Sequence, residues 1–167
     1  VGHIFYFGDK YSKPLKAAVD LPGGKKDYVK MGSYGIGVSR LVGAIIEAKY
    51  NDKEEIMKWP FSVAPYELVI IPMTNKNDKS ILEKATNLCK HFENHNIDVI
   101  IDDTDENLSS KIKKFNLIGV PYQIILGNKS EGDLLEFKET GNLPKNLSID
   151  KITKILTELK VKNWYLY

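Results

Sequence analysis

The residues best suited to chemistry form a short glycine-rich stretch that leads into an apolar helix. Gly35 and Gly37 stand two residues apart, and Arg40 follows in the first turn of a helix predicted from Val38 onward. The glycines free the backbone and remove side-chain bulk at the turn. A strand, a glycine turn and a helix N-terminus together form an anion site, because backbone N–H groups and the positive end of the helix dipole point the same way. The guanidinium of Arg40 can stack on a base or pair with phosphate oxygens, so the pattern predicts nucleotide binding.

Two other interpretations of this stretch are weighed on spacing alone. The dinucleotide fingerprint G-x-G-x-x-G needs a third glycine for close packing of helix and strand, and Arg40 stands at that position. That alternative therefore fails at one of its three glycines. The two glycines can equally shape a tight turn and nothing more, with Arg40 as a solvated residue of the first helical turn. From the spacing, this structural interpretation and the nucleotide site have equal weight.

Five residues outside the glycine stretch are further candidates. His3 lies on the first predicted strand, where a histidine is usually a hydrogen-bonded residue of a half-buried sheet. Asp102 and Asp103 end a later strand, and the C-terminal ends of parallel strands are where ligands bind in α/β sheets. Lys111 and Lys114 on the following helix could meet RNA phosphates and splayed bases. A solvated lysine face has at least equal weight.

Hydrophobic periodicity predicts the elements that would position these residues. Residues 67–72 form a continuous apolar run, which is typical of a central strand covered on both faces. Apolar residues at helical spacing from Ile81 to Phe92 predict an amphipathic helix. Strands are predicted at Gly2–Phe7, Lys16–Asp20, Tyr28–Tyr34, Glu67–Pro72, Ile97–Asp102, Tyr122–Leu126 and Leu134–Lys138, the last at a sheet edge, and helices from Val38, Ile81, Leu108 and Ser148.

The predicted elements divide the chain into two units. Residues 1–57 combine antiparallel strands with one helix that is apolar almost all round, which predicts a buried helix. This unit is too small to close a core of its own, so the helix needs partners that the chain does not contain. Residues 58–65 hold two prolines five apart and predict an extended linker. Strands and helices alternate over residues 66–160, which predicts an α/β domain with a largely parallel sheet, and residues 161–167 form a tail.

Bulk composition bounds the class of protein. The 167 residues carry a formal net charge of +2, which neither demands nor excludes a nucleic-acid partner. Cys89 is the only cysteine, so a disulfide framework and a cysteine-based metal site are excluded, and no metal site is predicted. No apolar run has the length of a membrane span and no signal peptide opens the sequence, so a cytoplasmic protein without membrane contact is expected. Because a strand begins directly after Val1, without a turn or a cap, we expect the chain to be part of a longer one.

Several motifs resemble those of one enzyme family. The segment G-I-G-V-S-R at residues 35–40 resembles motif 3 of class II aminoacyl-tRNA synthetases. The segments G-H-I-F at 2–5 and W-P-F-S-V-A-P-Y at 59–66 narrow the resemblance to the bacterial-type prolyl branch. The segments A-P-Y-E-L-V-I-I-P, I-I-D-D and L-I-G-V-P-Y-Q-I-I-L-G resemble the anticodon-binding domain shared with the threonyl, histidyl and glycyl enzymes. The implied α/β fold is a remnant of the class II antiparallel sheet with its motif 3 helix, followed by a mixed-sheet anticodon-binding domain.

The resemblance implies ATP-dependent ligation of proline to its tRNA by a full-length enzyme, of which this segment is the C-terminal portion. The motif 3 arginine of that family lies against the adenine ring and the phosphates of ATP, which implies that Arg40 is the catalytic contact. Gly35 and Gly37 would let the adenosine approach the sheet. Mg²⁺ is expected to bridge the phosphates. The full-length enzyme is expected to be a homodimer.

The G-H segment implies a proline pocket on the first strand. Gly2 and His3 would bind proline, and residues 4–7 would supply an apolar wall. Motif 2 of the family, which carries a further arginine, would lie upstream of this sequence. We therefore expect that the segment alone does not activate proline.

The resemblance also implies an RNA site in the second unit. Relatives usually show D-D-R, then a glycine before the lysine and an aromatic residue after it. Thr104, Ser110 and Ile112 stand in those places here, so the detailed contacts of the family do not transfer directly. The alternative is a non-catalytic synthetase-like protein that binds tRNA or another RNA, or acts as an accessory subunit. The residues implied to bind the anticodon of tRNA(Pro) are Asp102, Asp103, Lys111 and Lys114.

Overall fold

The structure, a computed structural model of the chain, describes residues 1–73, 79–127 and 134–164. Two compact units divide between Glu47 and Ala48, ten residues earlier than the sequence predicts. Of the predicted tail, residues 161–164 continue the last helix, and 165–167 lie outside the described residues. Within the described ranges, no helix is long and apolar enough to cross a membrane.

The first unit is built from two strand pairs and one helix. Its elements are β1 (Gly2–Gly8), β2 (Ala18–Leu21), β3 (Lys25–Tyr28), β4 (Met31–Ile36) and α1 (Val38–Lys49). Strand β1 pairs antiparallel with β4, and β2 pairs antiparallel with β3. The single strand predicted over residues 28–34 is two strands, because its first residue ends β3 and β4 begins three residues later. The chain then enters α1 directly after the glycine turn, as predicted.

Helix α1 is not buried in this chain, which lacks the covering partners that the prediction of a buried helix required. All of its residues are described, and none of them is buried. Val38 is 75% exposed and Val42 is 51% exposed. An apolar side chain is buried only where another element covers it, and the first unit has too few elements to surround this helix. Most of the apolar surface of α1 is therefore exposed, and only Ala44 and Ile45 are half-buried.

The second unit contains a five-stranded mixed sheet. The strand order is β11-β10-β9-β7-β8, with β7, β8 and β9 parallel to one another and β10 antiparallel to both of its neighbours. The mixed α/β class is confirmed, but the prediction that the strand after Leu134 lies at an edge is wrong. A further strand covers it, which the sequence hides because Lys-Asn-Leu-Ser is short and mostly polar. The elements are β5 (Tyr50–Asn51), β6 (Ile56–Met57), a 3-10 turn (Phe61–Val63), β7 (Leu68–Pro72), α2 (Lys79–Asn94), β8 (Val99–Ile101), α3 (Leu108–Ile118), β9 (Tyr122–Leu126), β10 (Leu134–Glu139), β11 (Lys145–Ser148) and α4 (Ile149–Trp164).

Strand β7 is the centre of the core, and both of its faces are buried. Leu68 and Ile70 pack with α2 and α4, whereas Val69 and Ile71 pack with α3. This arrangement confirms the prediction made from the continuous apolar run. Because this core fixes the three parallel strands, it also fixes the positions at which the loops after them begin.

The segment between the two predicted domains packs on the second unit. Residues 56–61, called the strap below, lie against the C-terminal end of α3. The indole N–H of Trp59 donates to Ile118 O at 2.9 Å, and Met57 is 3% exposed. A Cβ built on Gly119, the left-handed C-cap of α3, would lie 2.6 Å from Met57 Cγ and 2.6 Å from Trp59 Cδ1. Phe61 adds an edge contact to the Tyr122 ring at 6.0 Å, so the prolines of this region do not mark a free connector.

Candidate functional sites

Strand pairing in the first unit brings the glycine stretch and the histidine together. In the β1–β4 register, His3 lies opposite Gly35 and Gly2 lies opposite Ile36. The Gly37 N–H donates to Val1 O at 3.2 Å, which extends the pairing to the start of α1. Residues predicted from two separate motifs therefore meet at one end of the β1–β4 ribbon, beside the N-terminus of α1.

The glycines leave this end of the ribbon free of side chains. No described atom would lie within 4 Å of a Cβ at Gly35, directly opposite His3. A Cβ at Gly37 would lie 3.3 Å from Arg40 Cβ and 4.0 Å from Arg40 Nε, so the arginine side chain begins directly over that glycine. The first N–H groups of a helix have no partner within the helix. An open strand surface, a helix N-terminus and a guanidinium are thus adjacent, which suits a planar base carrying phosphates.

His3 shares its strand face with an aromatic row. Its ring lies 5.1 Å from the Phe5 ring, which lies 6.0 Å from the parallel Phe7 ring. Side chains alternate along a strand, so Ile4 and Tyr6 point to the opposite face, where each is 76% exposed. The prediction that residues 4–7 all wall the same pocket as His3 is therefore wrong, and only the two phenylalanines are on its side.

In the second unit, the loop after β8 is folded around one buried carboxylate. Asp102 is 3% exposed, and its Oδ1 accepts from Thr104 N at 3.0 Å and from Thr104 Oγ1 at 2.5 Å. Its Oδ2 lies 2.9 Å from Lys114 Nζ. Burial alone would raise the pKa of Asp102, but the hydrogen bonds from Lys114 and Thr104 and the charge of Lys111 outweigh it and lower that pKa. The carboxylate is therefore held ionised as the centre of the loop.

Lys111 lies beneath the same loop. Its side chain is 1% exposed, and its Nζ donates to Asp102 O at 3.0 Å and to Pro72 O at 3.4 Å. The solvated-face interpretation is wrong for this residue. An ammonium enclosed to this degree faces protein carbonyl groups and does not reach a ligand at the surface in this arrangement.

Lys114 and Asp103 are the predicted RNA residues that face outward. Lys114 is 31% exposed, and its Nζ lies 3.2 Å from Glu106 Oε2 as well as close to Asp102. The hydrogen bond to Asp102 is the main reason why the pKa of Lys114 is raised, so this lysine stays charged. Asp103 is exposed. These two residues are the ones that can exchange an internal or solvent contact for a ligand.

Sequence reasoning missed the residues that shape the loop. In the sequence, Thr104 is notable only as a departure from the family pattern, although it supplies two hydrogen bonds to Asp102. The available signal is the D-x-T spacing, because an aspartate readily accepts from the N–H two residues later. Asn107 caps α3 by accepting from Ser110 N at 2.9 Å, another recognisable pattern. The loop is therefore tied at both ends.

The described residues offer no ligand set for a metal ion. No group of three or more histidine, cysteine, aspartate or glutamate side chains in the described part of the chain could hold one.

Comparisons with known proteins agree on one family. Residues 67–159 match the family described as anticodon binding domain. The chain is 80% identical over 163 residues to a proline–tRNA ligase of Pelagibacter ubique (strain HTCC1062), covering 98% of this chain and 37% of that protein. It is 49% identical over 130 residues to a proline–tRNA ligase of Wolbachia sp. subsp. Drosophila simulans (strain wRi), covering 78% and 29%. It is 41% identical over 168 residues to that of Rickettsia typhi (strain ATCC VR-144 / Wilmington), covering 100% and 36%. The chain spans about a third of the length of the curated relatives it matches.

Proposed function

We propose that this chain, which belongs to the family of anticodon-binding domains, is the C-terminal portion of a proline–tRNA ligase. The observation that carries the proposal is the 80% identity to such a ligase across 98% of the chain. In that reaction the proline carboxylate attacks the α-phosphate of ATP, giving prolyl-adenylate and pyrophosphate. A terminal ribose hydroxyl of tRNA(Pro) then takes the prolyl group. The complete enzyme would act as a homodimer in the cytoplasm.

The ribbon end of the first unit would bind the small substrates. Arg40 would lie against the adenine and phosphates of ATP, with Gly35 and Gly37 leaving room for the adenosine. Gly2 and His3, on the strand opposite, would bind proline. The support is geometric, since the register puts His3 opposite the open surface at Gly35. Such a site accelerates the reaction by holding the carboxylate and the α-phosphate in line and by neutralising developing charge.

The exposed apolar surface of the first unit fits a part of a larger catalytic domain. Val38 and Val42 on α1 are both more than half exposed. Isolated apolar residues on a surface are ordinary, but a whole helix without a buried residue marks a contact surface. The remaining two thirds of a ligase of the relatives' length would supply the cover. We expect the 167-residue chain alone to show no proline-dependent pyrophosphate exchange.

The loop after β8 would bind the anticodon. It lies at the carboxyl ends of parallel strands, where ligands bind in sheets of this kind. Lys114 would pair with an RNA phosphate, and the exposed carboxylate of Asp103 would accept from base amino or imino groups. Asp102 would hold both in place from beneath the surface. Direct contact would thus come from Lys114 and Asp103.

Substitution of Arg40 tests the proposal in the complete enzyme that carries this sequence. The Arg40→Ala variant should lower kcat/KM for proline-dependent pyrophosphate exchange about 100-fold, the loss typical of one transition-state contact to a developing charge. Lys49→Ala, which removes a cation from the last turn of the same helix, is the matched control and should change the rate less than about twofold. If the two variants behaved alike, the ATP role of the ribbon end would be wrong.

A further inference from the structure

We infer that Lys111 is a positioning residue, which holds the RNA-facing loop in its binding conformation from below and does not contact RNA itself. The inference rests on the proposed anticodon function of the second unit. It states which lysine of that site contacts RNA and which one only supports the loop. It separates two lysines, Lys111 and Lys114, that the sequence alone treats as equivalent.

The first observation concerns the groups to which the Lys111 ammonium donates hydrogen bonds. Its two hydrogen-bond acceptors are Pro72 O, at the last residue of β7, and Asp102 O, directly after β8. Asp102 N in turn donates to Ile70 O at 3.0 Å, which continues the pairing of these parallel strands. One cation therefore bridges the carboxyl ends of two neighbouring strands. Asp102 follows Ile101, the last paired residue of β8, so its carbonyl lies beyond the ladder of that strand and needs another donor.

The second observation is that the bridged residue is also the centre of the loop. Lys111 Nζ lies 3.9 Å from Asp102 Oδ1, the oxygen that accepts both hydrogen bonds from Thr104. Asp102 Oδ2 faces Lys114, which reaches Glu106 farther along the loop. Lys111 thus fixes the main chain of Asp102, and the carboxylate of Asp102 fixes the outward residues. A loss of the buried cation is transmitted to Lys114 through this carboxylate.

The third observation is that neither common replacement can substitute for this lysine. Methionine matches the length of the side chain but would leave two carbonyl oxygens without their donor and one buried carboxylate with a single cation. Arginine carries a larger planar guanidinium, whose donor geometry differs from that of the compact ammonium held at this 1% exposed position. The position therefore demands a compact cation. A solvated lysine such as Lys154, which is 76% exposed, carries no such demand.

The test compares Lys111→Met, Lys114→Met and Lys154→Met in the full chain, with the anticodon stem-loop of proline tRNA as the probe. Affinity is measured over a series of KCl concentrations. Lys111→Met should weaken binding about tenfold at every concentration while the slope of log affinity against log salt stays that of the wild type. Lys114→Met should reduce the slope by about 0.7, as expected for one lost phosphate contact to a single strand. Lys154→Met should match the wild type.

Thr104→Val is a second variant, at an exposed position where a substitution does not disturb the core. It removes only the hydroxyl that binds Asp102, and it should weaken stem-loop binding about threefold, again with an unchanged slope. A Lys111→Met slope reduced as far as that of Lys114→Met would show a direct phosphate contact and overturn the inference. Wild-type affinity in both Lys111→Met and Thr104→Val would overturn it as well. Failure of the wild-type chain to prefer the proline stem-loop over one with a changed anticodon would instead contradict the proposed function.

Discussion

Replacement of Gly119 by alanine should destabilise the second unit more than the same replacement at Gly141. Both glycines have left-handed backbone angles, with φ of 87° at Gly119 and 86° at Gly141. At Gly119 the new Cβ would lie 2.6 Å from Met57 Cγ and 2.6 Å from Trp59 Cδ1, whereas at Gly141 the nearest described atom is Ile56 Cδ1 at 4.0 Å. The two alanine variants therefore share the free-energy cost of a left-handed backbone, and they differ in whether residues 56–61 must move.

The expected free energies follow from these two terms. A left-handed alanine costs about 1–2 kcal/mol at either position. Overpacking against Met57 and Trp59 adds about 1–3 kcal/mol at Gly119 alone. Effects on the unfolded chain are the same for both variants and cancel in the comparison. Gly119→Ala should therefore lower the free energy of unfolding by about 1–3 kcal/mol more than Gly141→Ala does.

Thermal and urea denaturation of the two variants measure this difference. For a unit of this size, about 1 kcal/mol corresponds to a shift of about 4 °C in Tm, so Gly119→Ala should melt about 4–12 °C below Gly141→Ala. The tryptophan fluorescence of Gly119→Ala should also change, because the indole of Trp59 is displaced. Equal melting temperatures would refute the reasoning, since they would mean that the strap does not pack on the end of α3.

Two further predictions concern charges in the second unit. Glu106→Gln removes one of the two carboxylate partners of Lys114 and should tighten binding of the proline stem-loop about two- to fivefold in fluorescence anisotropy, because a phosphate then competes for Lys114 with Asp102 alone; weaker binding would count against it. Burial, followed by the charge of His95, lowers the pKa of His91 below 6.5, while Asp150 opposes the shift, so the folded chain favours the neutral ring that contacts Thr153. As pH falls below 6.5, His91 takes up a proton in the unfolded chain first, so the free energy of unfolding should drop until the pKa of the folded state is passed. Urea denaturation at pH 7.5 and 5.5 measures this drop, and His91→Asn should make it smaller. An unchanged drop in His91→Asn would exclude His91 as its cause.

Local pattern was enough to predict most elements of the second unit. The run Tyr122–Leu126 is a strand with the predicted bounds, because four of its five residues are apolar or β-forming and they follow a Gly-x-Pro turn. The helix after Asn107 was found because its apolar residues recur on one side. For these elements, the residues within and next to the element are enough to predict its type.

Other features depend on residues far apart in the chain, and sequence patterns do not report them. The burial of Lys111 is set by where β7 and β8 end beneath α3, and a lysine in a run of polar residues gives no sign of it. The docking of Trp59 depends on a left-handed glycine sixty residues later, which leaves space that a side chain would fill. The exposure of α1 has a related cause, because burial requires a covering element and composition alone cannot supply one.

The candidate sites divide in the same way. The motif around Arg40 predicted its neighbours, since a strand, a turn and a helix are continuous in sequence. The pairing of His3 with Gly35 needed the register of two strands that are separated by two other elements. The position of Asp102 after a strand was predicted from the sequence, but the difference between Lys111 and Lys114 follows only from their burial.

The affinity of the 167-residue chain for the anticodon stem-loop of proline tRNA tests the central claim most directly. It should be compared, at one fixed salt concentration, with the same stem-loop carrying a changed anticodon. The account predicts that the proline anticodon binds at least about tenfold more tightly, a difference of about 1.4 kcal/mol. Equal affinity for the two stem-loops would contradict it.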